Sequence, residues 1–161
     1  MQANFPWQNP EIVQHSPILL DSFQRLTGKQ LIETTSSALE ISQALFKANF
    51  IVVSHGVESD PILNYGNRAA LNLWQLSWED FTRTPSRLTA ESIERSERDR
   101  LLAQAKQQGY ISNYCGIRIS STGDRFYIEN ATIWNVVDEQ NRNYGQAATF
   151  SRWNLIQKLN P

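Results

Sequence analysis

The stretch "DPILNYGNRAALNLWQLSWEDF" (Asp60–Phe81) changes its hydrophobic period at Asn67. Before that residue, Ile62–Tyr65 is a short apolar run bounded by Pro61 and Gly66, the pattern of a brief strand. After it, Ala69, Ala70, Leu71, Leu73 and Trp74 follow the spacing of a helix with one buried face. Asn67 stands at the junction, where an Asx side chain accepts the free N–H groups of the first helical turn. Ser77 opens another turn, with Asp80 at capping-box spacing, and a second indole, Trp78, lies just beyond Trp74. A strand, a cap, short helices and two indoles in so short a stretch admit two readings: a plain core or a ligand-sized pocket.

Working outward, "FIVVSHG" (Phe50–Gly56) is a β-branched run closed by glycine and reads as the first strand. The residues before it are helical in pattern. "NPEIVQHSPILLDSFQRLTG" (Asn9–Gly28) sets Ile12, Val13, Ile18, Leu19, Leu20, Phe23 and Leu26 partly on one face. Asn9 and Pro10 suit the N-cap and first helical position, Gly28 suits the stop, and Pro17 predicts a break or kink near His15. A second helix is expected over about 36–48. Its apolar set is Leu39, Ile41, Ala44, Leu45 and Ala48, and Ser37–Glu40 has capping-box spacing.

Downstream, "TRTPSRLTAES" (Thr82–Ser92) is a loop, and an amphipathic helix follows over about 93–108, stopped by Gly109. Its pairs Glu91/Arg95 and Glu94/Arg98 have i,i+4 spacing with the acid first, which suits a solvated face. "YISNYCGIRISS" (Tyr110–Ser121) alternates like a strand. Tyr110, Ser112, Tyr114, Gly116, Arg118 and Ser120 fall on one side, and Ile111, Asn113, Cys115, Ile117 and Ile119 on the other. The turn at Gly123 leads to "RFYIENATIWNVVD" (Arg125–Asp138), and "YGQAATFSRW" (Tyr144–Trp153) closes the sheet. The order is therefore α+β: two helices, two strands, several helices, then three antiparallel strands. The strands lie at about 50–55, 61–66, 110–121, 125–138 and 143–153, with residues 1–49 as a helical extension and 50–161 as the core.

Composition supports one globular domain: 161 residues, 40% hydrophobic and 19% charged. A net charge of −1 gives no long-range field to gather nucleic acid or an anionic membrane. The lone Cys115 rules out an internal disulfide and a Cys-rich zinc site. "MQANFPWQNPEIVQHS" (Met1–Ser16) lacks the charged and apolar regions of a signal peptide, and no window reaches the ~18 apolar residues of a membrane span. A soluble cytoplasmic protein is expected, with no nucleic-acid or membrane partner.

The order of elements resembles the PAS fold, which implies that the five strands form one antiparallel sheet with the helices between its second and third strands covering one face. "VVSHGVESDPILNYGNRAALNLWQLSWEDFTRTPSRLTAE" (Val52–Glu91), "GYISNYCGIRISSTGDRFYIENATIWNVVDE" (Gly109–Glu139) and "GQAATFSRW" (Gly145–Trp153) resemble stand-alone bacterial members of the PAS-related MEKHLA domain family. The resemblance covers nearly all of the chain from about residue 9. It implies a PAS-like sensory or interaction module. The motif that names the family in plant homeodomain–leucine zipper regulators is missing here, as are a homeodomain and zipper, so the DNA role of those proteins does not carry over.

The chemical candidates are few. Asn67 reads first as a helix cap. Trp74 and Trp78 read as core before cofactor stacking. Trp134 is expected to point under the helices together with Thr132 and Val136, meeting Trp74, while Ile133 and Asn135 point the other way. His55, Tyr65, Asn67, Leu71, Trp74, Tyr114, Trp134 and Ala148 would then line a pocket, with Gly116, Ala147 and Ala148 leaving the space. His55 and His15 have no acidic or thiol partner at ligand spacing, so no metal is expected. Flavin-binding PAS relatives carry a reactive Cys within Asn-Cys-Arg-Phe, and haem-binding ones a His on the long helix. Neither pattern is present, so no cofactor is expected, and Cys115 reads as a small buried hydrophobe. Arg118, Arg125 and Glu129 read as cross-strand surface pairs.

The leading expectation is a non-enzymatic module that binds an unidentified small ligand or protein partner. The runner-up is a small enzyme on a cone-like fold of the nuclear-transport-factor-2 type, in which His55 would work with Asp60 or Glu129. A third reading is an interaction protein that forms a homodimer through the apolar set of residues 9–48.

Overall fold

The computed structural model of the chain describes residues 5–33 and 36–156. A 3-10 turn (Pro6–Gln8) leads into α1 (Pro10–Thr27), followed by α2 (Ala38–Lys47). β1 (Ile51–His55) and β2 (Leu63–Gly66) come next, then α3 (Arg68–Trp74), α4 (Trp78–Phe81), a 3-10 turn (Ser86–Thr89) and α5 (Ser92–Gln108). β3 (Tyr110–Ile119), β4 (Arg125–Val137), β5 (Asn143–Phe150) and β6 (Arg152–Leu155) complete the order. The sheet is antiparallel, arranged β2-β1-β5-β4-β3, with β6 also paired to β4. Among the described residues no helix is long and apolar enough to cross a membrane.

Short-range signals act as expected. Ser37 Oγ accepts from the Glu40 N–H at 3.3 Å, Ser77 Oγ from the Asp80 N–H at 3.1 Å, and Gly28 closes α1 at φ +74°. Packing overrides two weaker signals. α1 runs unbroken through Pro17, because proline removes one N–H bond whereas Ile12, Ser16, Leu19 and Phe23 on both sides of it are buried. In α2 the buried face is Ser42, Leu45 and Phe46, while Leu39 and Ala44 of the expected apolar set are exposed.

The expected fifth strand is two segments. Thr132↔Thr149 and Glu129↔Arg152 share one register along β4, so β6 continues β5 beyond a bend at Ser151. Asn130 lies opposite that bend with φ +58°, in the left-handed region that Asn tolerates better than most residues. It belongs to a pair of compensating bulges. β3 carries an extra residue between Ile111 and Tyr114, where Asn113 also has φ +58°, and β4 carries one between Ile128 and Ala131.

Each bulge exchanges the two faces of its strand. Ile111 therefore packs in the same cluster as Tyr114, and Ile128 shares a cluster with Ala131 and Ile133. Trp134 and Val136 point to the opposite face. The expected meeting of Trp74 and Trp134 is overturned: the relative alternation along β4 is right, but the face is inverted. Cys115 is exposed rather than buried.

Helices thus cover both faces of the sheet. Under α3–α5 lie Ile51, Leu63, Trp74, Phe81, Phe126, Ile128, Ile133 and Phe150. Under α1 and α2 lie Leu19, Phe23, Leu45, Val52, Tyr65, Trp134 and Val136. The Asp60–Phe81 stretch serves both. Trp74 meets Phe126 at 5.2 Å between ring centroids, whereas Trp78 meets Tyr65 at 6.0 Å and Phe46 at 6.5 Å. The apolar face of α1 that suggested a homodimer is covered by the chain's own sheet.

His15 sits in that second layer, with Nε2 3.0 Å from Ser54 Oγ. Ser54 in turn donates to Asn64 Oδ1 at 2.5 Å, so the histidine supplies the proton. Burial lowers the His15 pKa from 6.5 to about 4. Below pH 6.5 the unfolded chain takes up this proton while the folded chain resists it. Stability should therefore fall as pH drops from 6.5 towards 4, with a contribution of order 2–3 kcal/mol from this group. His15→Gln keeps an N–H for Ser54 and does not titrate. Urea unfolding of both proteins across that window should give curves that separate as pH falls, the unaltered protein losing stability that the variant keeps, and parallel curves would refute this account.

Candidate functional site

A cavity of about 70 Å³ lies between the sheet and α5, several times the ~10–15 Å³ that one water requires. Val53, Ile128, Ala131, Ile133, Ala148 and Phe150 line it from the sheet, and Trp74 from α3. Arg98 and Leu102 of α5, with Ser86 and Thr89 of the 3-10 turn, complete the helical side. Tyr114 and Arg118 project from β3. A wider groove between α5 and the β4–β5 hairpin adjoins it and shares His55, Arg98, Leu102 and Gln146 with it.

The polar end is built on spacing. Arg98, Leu102 and Ala105 lie at i, i+4 and i+7 on α5, so Arg98 shares the inward face instead of the solvated one expected for it. It is 6% exposed, donates from Nη1 to Asp99 Oδ1 at 3.1 Å, and bonds Ser86 Oγ through Nη2. Arg118, 8% exposed, lies four residues after Tyr114 on β3 and stacks its guanidinium 5.3 Å from that ring's centre. Its Nη1 donates to the Ile117 carbonyl at 2.8 Å. Gly116 between them is required by close approach, since a Cβ there would strike the Tyr114 hydroxyl and crowd Arg118 Nη1.

The expected surface pairs of these arginines are replaced. Arg125 pairs with Glu91 at 2.5 Å, and Glu129 accepts from Asn154 Nδ2 at 3.3 Å. Burial pulls the Arg98 guanidinium below its ordinary pKa, and Arg118 adds to that, against the opposing pull of Asp99. His55 is likewise lowered, by burial first, and Arg98 also disfavours its charged form. Its Nδ1 lies 3.0 Å from the Gly56 carbonyl and so carries the proton, which leaves Nε2 buried, unprotonated and without a partner. The Trp74 indole N–H is also buried and unpartnered. Gln146 donates from Nε2 to the Leu102 carbonyl at 2.9 Å and to Asn135 Oδ1 at 3.3 Å, tying the sheet to α5 where the cavity and the groove share a wall.

Of the residues proposed from sequence, His55, Trp74, Tyr114 and Ala148 line the cavity. Tyr65 and Trp134 belong to the layer under α1, Asn67 is enclosed in backbone hydrogen bonds, and Leu71 lies beside Trp78 in a separate groove. Ser86, Arg98, Arg118 and Gln146 were not singled out for the site. For Arg98 the heptad-like spacing to Leu102 and Ala105 was a usable signal, and for Arg118 its shared side with Tyr114 and Gly116. The acid–base pair of the cone-fold enzyme reading is not assembled. Asp60 pairs with Arg87 at 3.3 Å, Glu129 with Asn154, and neither bonds His55.

The sequence matches the MEKHLA domain over residues 13–155. A relative is the homeobox-leucine zipper protein ATHB-9 of Arabidopsis thaliana, 28% identical over 98 residues. That match takes in 61% of this chain but only 12% of the plant protein. The PAS domain of a protein from Colwellia psychrerythraea superposes with a TM-score of 0.61 at 14% identity, covering 73% of this chain and 94% of that one. The PAS domain, in complex with ethanol, of a LuxR-family transcriptional regulator from Burkholderia thailandensis gives 0.53 at 15% identity, covering 71% and 95%. At these identities the likeness is one of fold, and the fold is PAS-like.

Proposed function

The chain belongs to the MEKHLA domain family, and from that premise we propose that it is a PAS-type sensory module whose cavity under α5 takes a small ligand. The observation that carries this reading is the cavity itself. It is apolar over most of its wall, it holds polar atoms without partners, and it shares His55 and Gln146 with an adjoining open groove. The Burkholderia thailandensis PAS domain was solved with a small alcohol, which is consistent with small-molecule occupancy on this fold. Occupancy would be felt by α5, since that helix supplies both Arg98 and Leu102 to the wall.

Titration of the ¹⁵N-labelled full chain with neutral alcohols and amides of up to about six heavy atoms tests this by amide chemical shifts. Shifts are expected at Val53, Leu102, Ile133 and Ala148, with Leu19 and Phe23 on the opposite layer unmoved. Ala131→Leu, which places atoms in the cavity, should abolish them. Absence of shifts around the cavity with every neutral and anionic compound tried would overturn the ligand-binding reading.

A further inference from the structure

We infer that the ligand is a small organic carboxylate, its charged end held between Arg98 and Arg118 and its apolar body against Trp74, Ile133 and Phe150. This rests on the cavity being a ligand site. What singles out the class is an imbalance of charge and of hydrogen-bond donors in the wall. Two guanidinium groups line the cavity, each more than nine-tenths buried, and no Asp or Glu lines it. Arg98 has Asp99 as its ion pair, but that carboxylate is turned outward, with its side chain 68% exposed. Among the described residues Arg118 has no carboxylate within ion-pair distance, only the Ile117 carbonyl and the face of Tyr114.

A buried cation in that condition is costly, and an incoming carboxylate relieves it twice over. It supplies the missing charge, and its two oxygens match the forked donors of a guanidinium. A neutral ligand leaves the second cation uncompensated. A phosphate-sized dianion is disfavoured because the rest of the wall is apolar, and a charge not matched by donors is expensive there.

The test uses matched pairs that differ only in the charged group and are small enough for the cavity: propanoate against propanamide, and 2-methylpropanoate against 2-methylpropanamide. Binding to the full chain is followed at pH 7 by amide shifts and calorimetry. The carboxylate of each pair should bind at least ~tenfold tighter than its amide, the factor one charge-assisted hydrogen bond supplies. Arg118→Met, of similar length and uncharged, should weaken the carboxylate of each pair by more than it weakens the amide, cutting the preference several-fold while Arg98 retains the remainder. Equal affinity for carboxylate and amide in the unaltered protein, with shifts at the cavity, would overturn this inference and leave the sensory reading standing. No cavity shifts with either member of both pairs would remove both. The first comparison needs no variant, so a poorly folding Arg118→Met does not block the outcome.

Discussion

Asn67→Ala should destabilise the protein by roughly 3–5 kcal/mol, well beyond the ~1 kcal/mol of an ordinary helix cap. The side chain is fully buried and every polar position on it is used. Oδ1 accepts from the Val52 and Ala70 N–H groups, both at 3.2 Å, and Nδ2 donates to the carbonyls of Leu45 at 3.2 Å and Phe50 at 2.8 Å. One amide thus joins the end of α2, the start of β1 and the first turn of α3. Alanine removes all four bonds, strands the buried Val52 and Ala70 N–H groups, and leaves the Leu45 carbonyl only its 3.4 Å bond from the Ala48 N–H. Asn67→Asp keeps the shape but aims an acceptor at two carbonyls, so it should be at least as damaging at neutral pH. Equilibrium urea unfolding measures both. A loss near 1 kcal/mol for Asn67→Ala would mean that the residue is a cap and nothing more.

Trp134→Ala should cost about 3–5 kcal/mol, the range for removing a fully enclosed indole. Its ring fills the space under α1, edge-on to Phe23 at 4.9 Å between centroids, and its Nε1–H donates to Ser22 Oγ at 3.0 Å. Because α1 is held to the sheet largely through this layer, its amides should exchange faster with deuterium in the variant than those of α5. Trp134→Phe retains most of the ring and loses one hydrogen bond, so a loss of ~1–2 kcal/mol is expected. Trp74→Ala probes the other layer and should leave α1 protection ahead of α5 protection. If the two tryptophan variants expose the same helix first, the assignment of the indoles to opposite faces fails.

Much of the fold was legible because its signals act over a few residues. The caps at Ser37, Asn67 and Ser77, the stops at Gly28 and Gly109 and the period change at Asn67 depend on bonds within one helical turn. Residues on the same chain segment carry that information together. The order of elements, with helices between the second and third strands, follows from the same reading, and the single antiparallel sheet was implied by the resemblance to the PAS fold. Half of the named pocket residues reach the cavity for a related reason: His55, Trp74, Tyr114 and Ala148 sit on elements whose order alone places them near it.

The rest required partners distant in sequence. Alternation along β3 and β4 predicts which residues share a face only while pairing is regular, and the two bulges at Asn113 and Asn130 reverse it between one end and the other. An Asn in a strand does not announce a left-handed φ, since the conformation is stabilised by the facing strand and not by its neighbours in the chain. That reversal sent Trp134 beneath α1. Pro17 was outweighed by the burial of α1 against a sheet whose strands run from β1 to β4, far along the chain. Arg98 reads locally as the cation of a surface pair, and only the closure of α5 over β3 buries it beside Arg118. The sequence by itself determined the elements, their order and their caps, because those are governed by local backbone chemistry. Tertiary structure decided the faces, and with them the site, because a residue's face is settled by the strand opposite it.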